Sequence, residues 1–163
     1  MGEPSDELFR FSIEEIKGVD VHVLGRKLYE IMLYWQDPEI VKTFTALDRV
    51  WADLWNPLPK VVFSRMLDSV DESARLAEGT LEEEIARLRD EPGEGVIAIG
   101  GAELAAQAAG LDLIDEYRIR VSPILLGGGT PLLPQDGRRT ELELLESRAF
   151  DSGVVFLHYR VKR

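Results

Sequence analysis

"GVIAIGGAEL", residues 95–104, is the stretch on which the fold turns. A short apolar run, Val96 to Ile99, ends in Gly100-Gly101, and a small-residue stretch, AELAAQAAG (102–110), follows at once. An apolar run closed by glycine and continued by a helical pattern reads as the strand–turn–helix of a parallel α/β sheet. The glycine pair then has two readings. It is a tight turn and nothing more, or it seats a phosphate, because glycine lets the backbone approach a ligand and a helix start presents unbonded N–H groups.

The rest of the chain extends the same alternation. VDVHVLG (19–25) is a β-rich run with alternating valines, closed by Gly25, and RKLYEIMLYW (26–35) reads as a helix ending before Pro38. Ile40, Phe44, Leu47, Trp51 and Leu54 recur at helical spacing and predict one helix over 38–55, ended by NPLP. KVVFS (60–64) is a buried strand. TLEEEIARLRDE (80–91) opens with Thr80 as cap and Glu83 three residues on, a capping-box pattern, over an apolar stripe of Leu81, Ile85 and Leu88. Upstream, DELFRFSIEEIK (6–17) places Leu8, Phe9, Ser12, Ile13 and Ile16 on one helical face, with Asp6 as cap. Downstream, Tyr117, Ile119 and Val121 alternate with Arg118, Arg120 and Ser122, and ELELLES and GVVFLHYRVKR read as an antiparallel pair. The expectation is a mixed sheet flanked by helices, parallel over the first two-thirds and antiparallel at the end.

Composition narrows the chemistry. The chain has 163 residues, enough for one domain (1–163) with a real core, and its 45% hydrophobic and 30% charged residues are those of a soluble globular protein. There is no cysteine, which removes disulfides, thiolate metal sites and a cysteine nucleophile. His22 and His158 lie far apart without metal-ligand spacing, so no metal is expected. No apolar run approaches the roughly 20 residues that span a bilayer. The polar, acidic start MGEPSDELF is wrong for a signal peptide, so the expected location is cytoplasmic. A formal charge of −11 repels nucleic acid and anionic membranes.

Three strand ends carry the candidate chemistry: Gly25-Arg26-Lys27, Phe63-Ser64-Arg65 and Gly100-Gly101-Ala102-Glu103. Ligands of parallel α/β sheets collect beyond the carboxyl ends of strands, where helix N-termini point their N–H groups. Arg26, Lys27 and Arg65 add charge and Ser64 a hydroxyl, which together suit a ligand with several phosphates. The Rossmann and Walker glycine patterns are absent. LGGGTPLLP (126–134) reads as a connection between sheet strands. Trp35, Trp51 and Trp55 read as core or interface, Glu82-Glu83-Glu84 as a solvated helix face, and His22 and His158 as packed, hydrogen-bonded histidines.

The order of the pieces is more specific than any one. VLGRKLYE, PKVVFSR, VIAIGGAELA, GLDLIDEYRIRVSPILLGGGTPLL and SGVVFLHYR together resemble the bacterial dihydrofolate-reductase-like family, which includes the C-terminal reductase domain of the bifunctional riboflavin-biosynthesis deaminase–reductase. The resemblance implies a three-layer α/β fold, a mostly parallel mixed sheet with an antiparallel C-terminal hairpin. It also implies an NADPH-dependent reductase of a pterin- or pyrimidine-like small molecule, similar to 5-amino-6-(5-phosphoribosylamino)uracil reductase, which reduces a ribose to ribityl. Gly25 and Arg26 match the glycine and basic residue beside the cofactor's phosphates, with Lys27 adding charge next to them, and Ser64 and Arg65 match the segment near the adenosine 2′-phosphate. Gly100, Gly101 and Ala102, with Glu103 and Leu104 behind them, match the pyrophosphate turn. The acid that assists proton delivery in dihydrofolate reductases has no counterpart that can be placed here. Tyr29 and Glu30, one turn into the helix, are the nearest candidates.

Two departures from the family pattern matter. Leu28 stands where relatives often have a threonine that caps the helix. The family's first strand and its S-x-D-G loop have no match, and that strand lies between those matching 96–100 and 116–122. The expectation is a longer natural chain that supplies it; direct pairing of the flanking strands and a strand from a partner chain are the alternatives. Two rival functions follow: a cofactor-binding or vestigial domain without turnover, and an oligomerisation module using the tryptophan-rich helix 38–55, in a family that often forms dimers.

Overall fold

A computed structural model describes residues 6–163; the polar start, residues 1–5, lies outside the described residues. Its elements are helix α1 (Asp6–Ile16), strand β1 (Val19–Gly25), helix α2 (Arg26–Met32) with a 3₁₀ turn behind it, helices α3 (Pro38–Val41) and α4 (Ala46–Trp55), and strands β2 (Lys60–Phe63) and β3 (Ala74–Leu76). Helix α5 (Leu81–Asp90), strand β4 (Val96–Gly100), helix α6 (Ala102–Gly110) and strands β5 (Glu116–Val121), β6 (Leu142–Ala149) and β7 (Val155–Val161) complete it.

The strands form two sheets. One is parallel in the order β3-β2-β1-β4, the other antiparallel in the order β5-β7-β6. The expected single mixed sheet is thus divided between β4 and β5, where the family's first strand has no match. The flanking strands do not close the gap by pairing with each other. Helix α6 carries the chain across it as a β-α-β crossover passes over a strand position.

The parallel sheet is covered on both faces. Val21, Val23 and Val61 point to α5 and α6, where they meet Leu81, Ile85, Leu88, Leu104 and Ala108. Leu24 and Val62 point the other way, onto Tyr29. Helix α1 ties the two sheets together: Ile16 packs with Trp55 and Leu58, while Leu8 packs with Phe150, Val154 and Phe156 of the antiparallel layer. Asp6, expected as the cap, is the first residue of α1.

The expected helix 38–55 is two helices. Thr45 and Asp48 form a capping box that starts α4 afresh, Thr45 accepting from the Asp48 N–H and Asp48 from the Thr45 N–H. The capping box at Thr80–Glu83 stands as expected. The tryptophans form an internal cluster: Trp51 stacks on Trp55 at 6.2 Å, and Phe9 reaches both Trp35 and Trp51. Helix α4 therefore turns its aromatic face into the fold. Lys60 is buried beneath it, its Nζ donating to the carbonyls of Trp55 and Leu58 at 2.8 and 2.7 Å, and burial lowers its pKa to about 8 against the opposing pull of Asp71.

Glu84 corrects the solvated reading of the 82–84 run. Its side chain is 0% exposed and accepts from Arg75 Nη2 at 2.6 Å and from the Glu78 N–H at 2.8 Å. The Arg75 hydrogen bond leads in lowering its pKa to about 2, against desolvation.

Candidate functional site

Adjacent parallel strands bring the three expected ends together. Gly25 of β1 is level with Phe63 of β2, and Leu24 with Gly100 of β4. Residues 75 positions apart in the chain thus end on one rim, and the loops that follow them carry Arg26, Lys27, Ser64, Arg65 and the Gly100–Leu104 turn.

The turn after β4 has the form a phosphate needs. Gly101 is the N-cap of α6 with φ +94°, a backbone state that side chains with a Cβ adopt at a cost. No side chain caps α6, so the N–H groups of Ala102, Glu103 and Leu104 at its first turn have no side-chain acceptor. No atom lies within 4 Å of where a Cβ would stand on Gly101 or Gly25, so the space above both is open.

Gly100 is different. A Cβ there would stand 2.7 Å from both His22 Cε1 and Leu28 Cδ2. Leu28, where the family resemblance implies a threonine, is thus a packing residue over the first glycine and joins the Leu24–Tyr29–Val62 cluster. Gly100→Ala is expected to destabilise by about 1–3 kcal/mol through overpacking, read from urea unfolding; an unchanged midpoint would show that His22 and Leu28 move aside freely.

The basic residues differ in how they are engaged. Arg26 Nη1 donates to Glu30 at 2.9 Å, one turn along α2. Among the described residues Lys27 and Arg65 make no ion pair. Ser64 Oγ accepts from the N–H groups of Met66 and Leu67 at 3.0 and 3.1 Å, which folds the loop after β2 and leaves its own proton to donate outward.

Both nearest candidates for proton delivery are engaged within the fold. Tyr29 is buried; its hydroxyl donates to Asp71 Oδ2 at 3.0 Å and accepts from the Asp71 N–H at 2.9 Å. Desolvation leads in raising its pKa. Glu30 is held by Arg26. Asp71 escaped sequence reasoning; its only local signal is Asp71-x-Ser73, an Asx turn in which Oδ1 takes the Ser73 N–H at 2.8 Å. His22 is packed edge-on against Trp55, as expected, and its Nδ1 is buried facing the Val23 backbone without a well-formed hydrogen bond. Burial lowers its pKa to about 4, with the Val23 backbone opposing and the charge of Lys60 adding. His158 is bonded as expected, its Nε2 2.8 Å from Glu116 Oε2. No group of acidic or histidine side chains among the described residues could hold a metal ion.

The sequence profile of the RibD C-terminal domain matches residues 5–156. The chain belongs to the RibD C-terminal domain family. This places it among reductase-type domains of the dihydrofolate-reductase-like fold. Two Bacillus subtilis proteins are similar in sequence, the uncharacterized YyaP (31% identical over 145 residues) and YwjB (32% over 141). Each alignment covers 86% of this chain and 73% of the relative. Solved structures share the fold over 99% of this RibD C-terminal domain. A Shewanella protein provisionally named for riboflavin biosynthesis gives a TM-score of 0.72 at 23% identity, covering 84% of that chain. Dihydrofolate reductase from Enterococcus faecalis, solved with NADP(H), gives 0.63 at 18%, also covering 84%. A pyrimidine reductase-like protein from Corynebacterium diphtheriae gives 0.61 at 18%, covering 83%.

Proposed function

We propose that this chain is a cytoplasmic, NADPH-dependent reductase of a pyrimidine- or pterin-like small molecule, of the 5-amino-6-(5-phosphoribosylamino)uracil reductase type. The observation that carries this reading is the uncapped start of α6 behind Gly101, beside two other strand ends that carry the cations. The cofactor fits the residues present. The N–H groups of Ala102, Glu103 and Leu104 would receive the pyrophosphate, and the open space above Gly25 and Gly101 would admit it. Arg65 and the Ser64 hydroxyl would hold the 2′-phosphate that distinguishes NADPH from NADH, and Lys27 and Arg26 would hold the other phosphates. The Arg26–Glu30 pair is half-exposed and holds Arg26 by only about 0.3–0.5 kcal/mol, so Arg26 turns to a phosphate at little cost. When bound, NADPH supplies the hydride.

Titration of the intrinsic tryptophan fluorescence with NADPH tests the reading. Saturable binding is expected, weaker for NADH. The Arg26→Ala/Arg65→Ala variant is expected to lose NADPH affinity by about 10–100-fold, the size of one or two charge-assisted hydrogen bonds. Equal binding by variant and wild type would refute the assignment.

A second reading, cofactor binding without turnover, is favoured by the engagement of Tyr29 with Asp71 and of Glu30 with Arg26. Oxidation of NADPH in the presence of pyrimidine or dihydrofolate substrates separates the two. Turnover supports the reductase, and binding without oxidation supports the second reading.

A further inference from the structure

The antiparallel sheet turns Arg118 and Arg120 of β5 to Glu15 of α1, so Tyr117, Ile119 and Val121 look outward. Cross-strand partners share a face, which places Tyr159 and Val161 of β7 and Leu142 and Leu144 of β6 on the same outward side. At the end of this sheet where β5 and β6 begin and β7 finishes, the last turn of α6 closes off an open hollow of about 660 Å³. Small-molecule sites occupy roughly 300–1,000 Å³. The floor of the hollow is apolar and half-buried, made by Ala109, Ile114, Tyr117 and Val161. Its walls are held by the fold. The Val161 N–H donates to the Asp115 carbonyl and the Lys162 N–H to the Glu141 carbonyl, both at 2.9 Å. Arg163 Nη2 donates to the carbonyls of Asp112 and Ile114 at 3.0 and 3.2 Å.

The polar groups of the rim divide into those already engaged and those that are free. Asp112 has Arg138 at 3.6 Å, and Glu141 has Arg139 at 3.0 Å. Arg163 is taken by Asp115 at 2.6 Å. Lys162 is the cation left over. Among the described residues its Nζ, Tyr117 Oη and Thr140 Oγ1 make no hydrogen bond or ion pair. Three donors, one of them charged, thus stand around an apolar floor with no acceptor from the protein.

We propose that this hollow is a second ligand site, for a small monocarboxylate with an aromatic or aliphatic body. The body covers the floor beside the Tyr117 ring, and the carboxylate accepts from Lys162, Thr140 and Tyr117. One uncommitted cation matches one negative charge, and the carboxylates of Asp112 and Glu141 on the rim repel a dianion. The site is separate from the glycine turn. Ala102 and Ala109 stand at opposite ends of α6, about 10 Å apart along the axis at ~1.5 Å per residue. Occupancy of the hollow therefore does not depend on the glycine turn holding a cofactor, and the two ligands do not compete.

Amide chemical shifts of the full chain, titrated with cinnamate, test this directly. Saturable shifts are expected at Ala109, Ile114, Tyr117 and Val161, with the same midpoint when NADPH is present. The neutral cinnamamide is expected to bind about 10-fold more weakly or worse, the size of one charge-assisted hydrogen bond. Phenyl phosphate, a dianion, is expected to bind more weakly than cinnamate. Lys162→Ala, at an exposed position, is expected to lose cinnamate affinity by about 10-fold. The absence of saturable shifts overturns the proposal, as do shifts confined to the rim of β1, β2 and β4 or displacement of cinnamate by NADPH. Equal affinity for cinnamamide, tighter binding of phenyl phosphate or undiminished binding by Lys162→Ala overturns it as well. Should Lys162→Ala alter the spectrum throughout the chain, the comparison of cinnamate with cinnamamide on the wild type decides.

Discussion

Gly101→Val is expected to abolish NADPH binding while leaving a folded protein. The two costs separate because the position is strained in backbone but open in space. At φ +94° a β-branched residue costs about 1–3 kcal/mol, a loss that a domain of roughly 5–15 kcal/mol survives. No protein atom within 4 Å meets the new Cβ, so no packing is lost. The methyl groups instead stand in the open space above α6, where the proposed cofactor's pyrophosphate would enter. A loss of affinity of at least about 100-fold follows if two or three of those charge-assisted hydrogen bonds are denied. Fluorescence titration and urea unfolding on the same variant read the two effects apart. Undiminished affinity would show that this turn does not hold phosphate. Gly100→Ala is the internal contrast: there the clash is with His22 and Leu28, so stability is expected to move.

Arg75→Ala is expected to have the largest effect on stability. It leaves the Glu84 carboxylate buried with the backbone donors of Glu78 and Gly79 and the long 3.5 Å contact from Arg87 Nη1. Breaking one partner of a buried pair costs about 3–5 kcal/mol, and the 37% exposure of Arg75 places this case toward the lower end. The pH dependence has a definite sign. The folded carboxyl is held at about 2, below its ordinary value, so its contribution is present above the ordinary carboxylate range and is lost as pH falls toward 2. The penalty of Arg75→Ala should accordingly shrink in acid, where protonated Glu84 no longer needs its cation. Replacing both partners, Arg75→Met with Glu84→Leu, is expected to recover most of the loss. Urea midpoints at neutral and acid pH check all three; a penalty for Arg75→Ala that does not diminish in acid would remove the ion pair as its cause.

Much of the fold was legible because its signals are local. Strand 19–25 and helix 102–110 stand at the boundaries that alternation, glycine and small-residue pattern indicated. The Thr80–Glu83 box was readable from two residues. So was the Thr45–Asp48 box, whose S/T-x-x-D spacing also marks a helix start, and reading through it merged two helices into one. Strand β3, three residues long, has no period to detect. At the site, the three strand ends were legible as glycine and basic residues in the right places. What engages each side chain was not. Tyr29 meets Asp71 across 42 residues, and Leu28 meets Gly100 through packing that no spacing encodes.

The sequence by itself determined most of the elements, the glycine turn and the family, because capping, periodicity and backbone freedom depend on neighbours a few residues away. Only the tertiary structure decided that Gly25, Phe63 and Gly100 end on one rim, that the sheet divides between β4 and β5, that Glu84 lies inside, and that the apolar face of β5, β6 and β7 looks outward. Strand register, burial and the covering of a face are set by contacts between residues far apart in the chain. An alternating strand reads the same whether its apolar side meets the core, solvent or a second molecule.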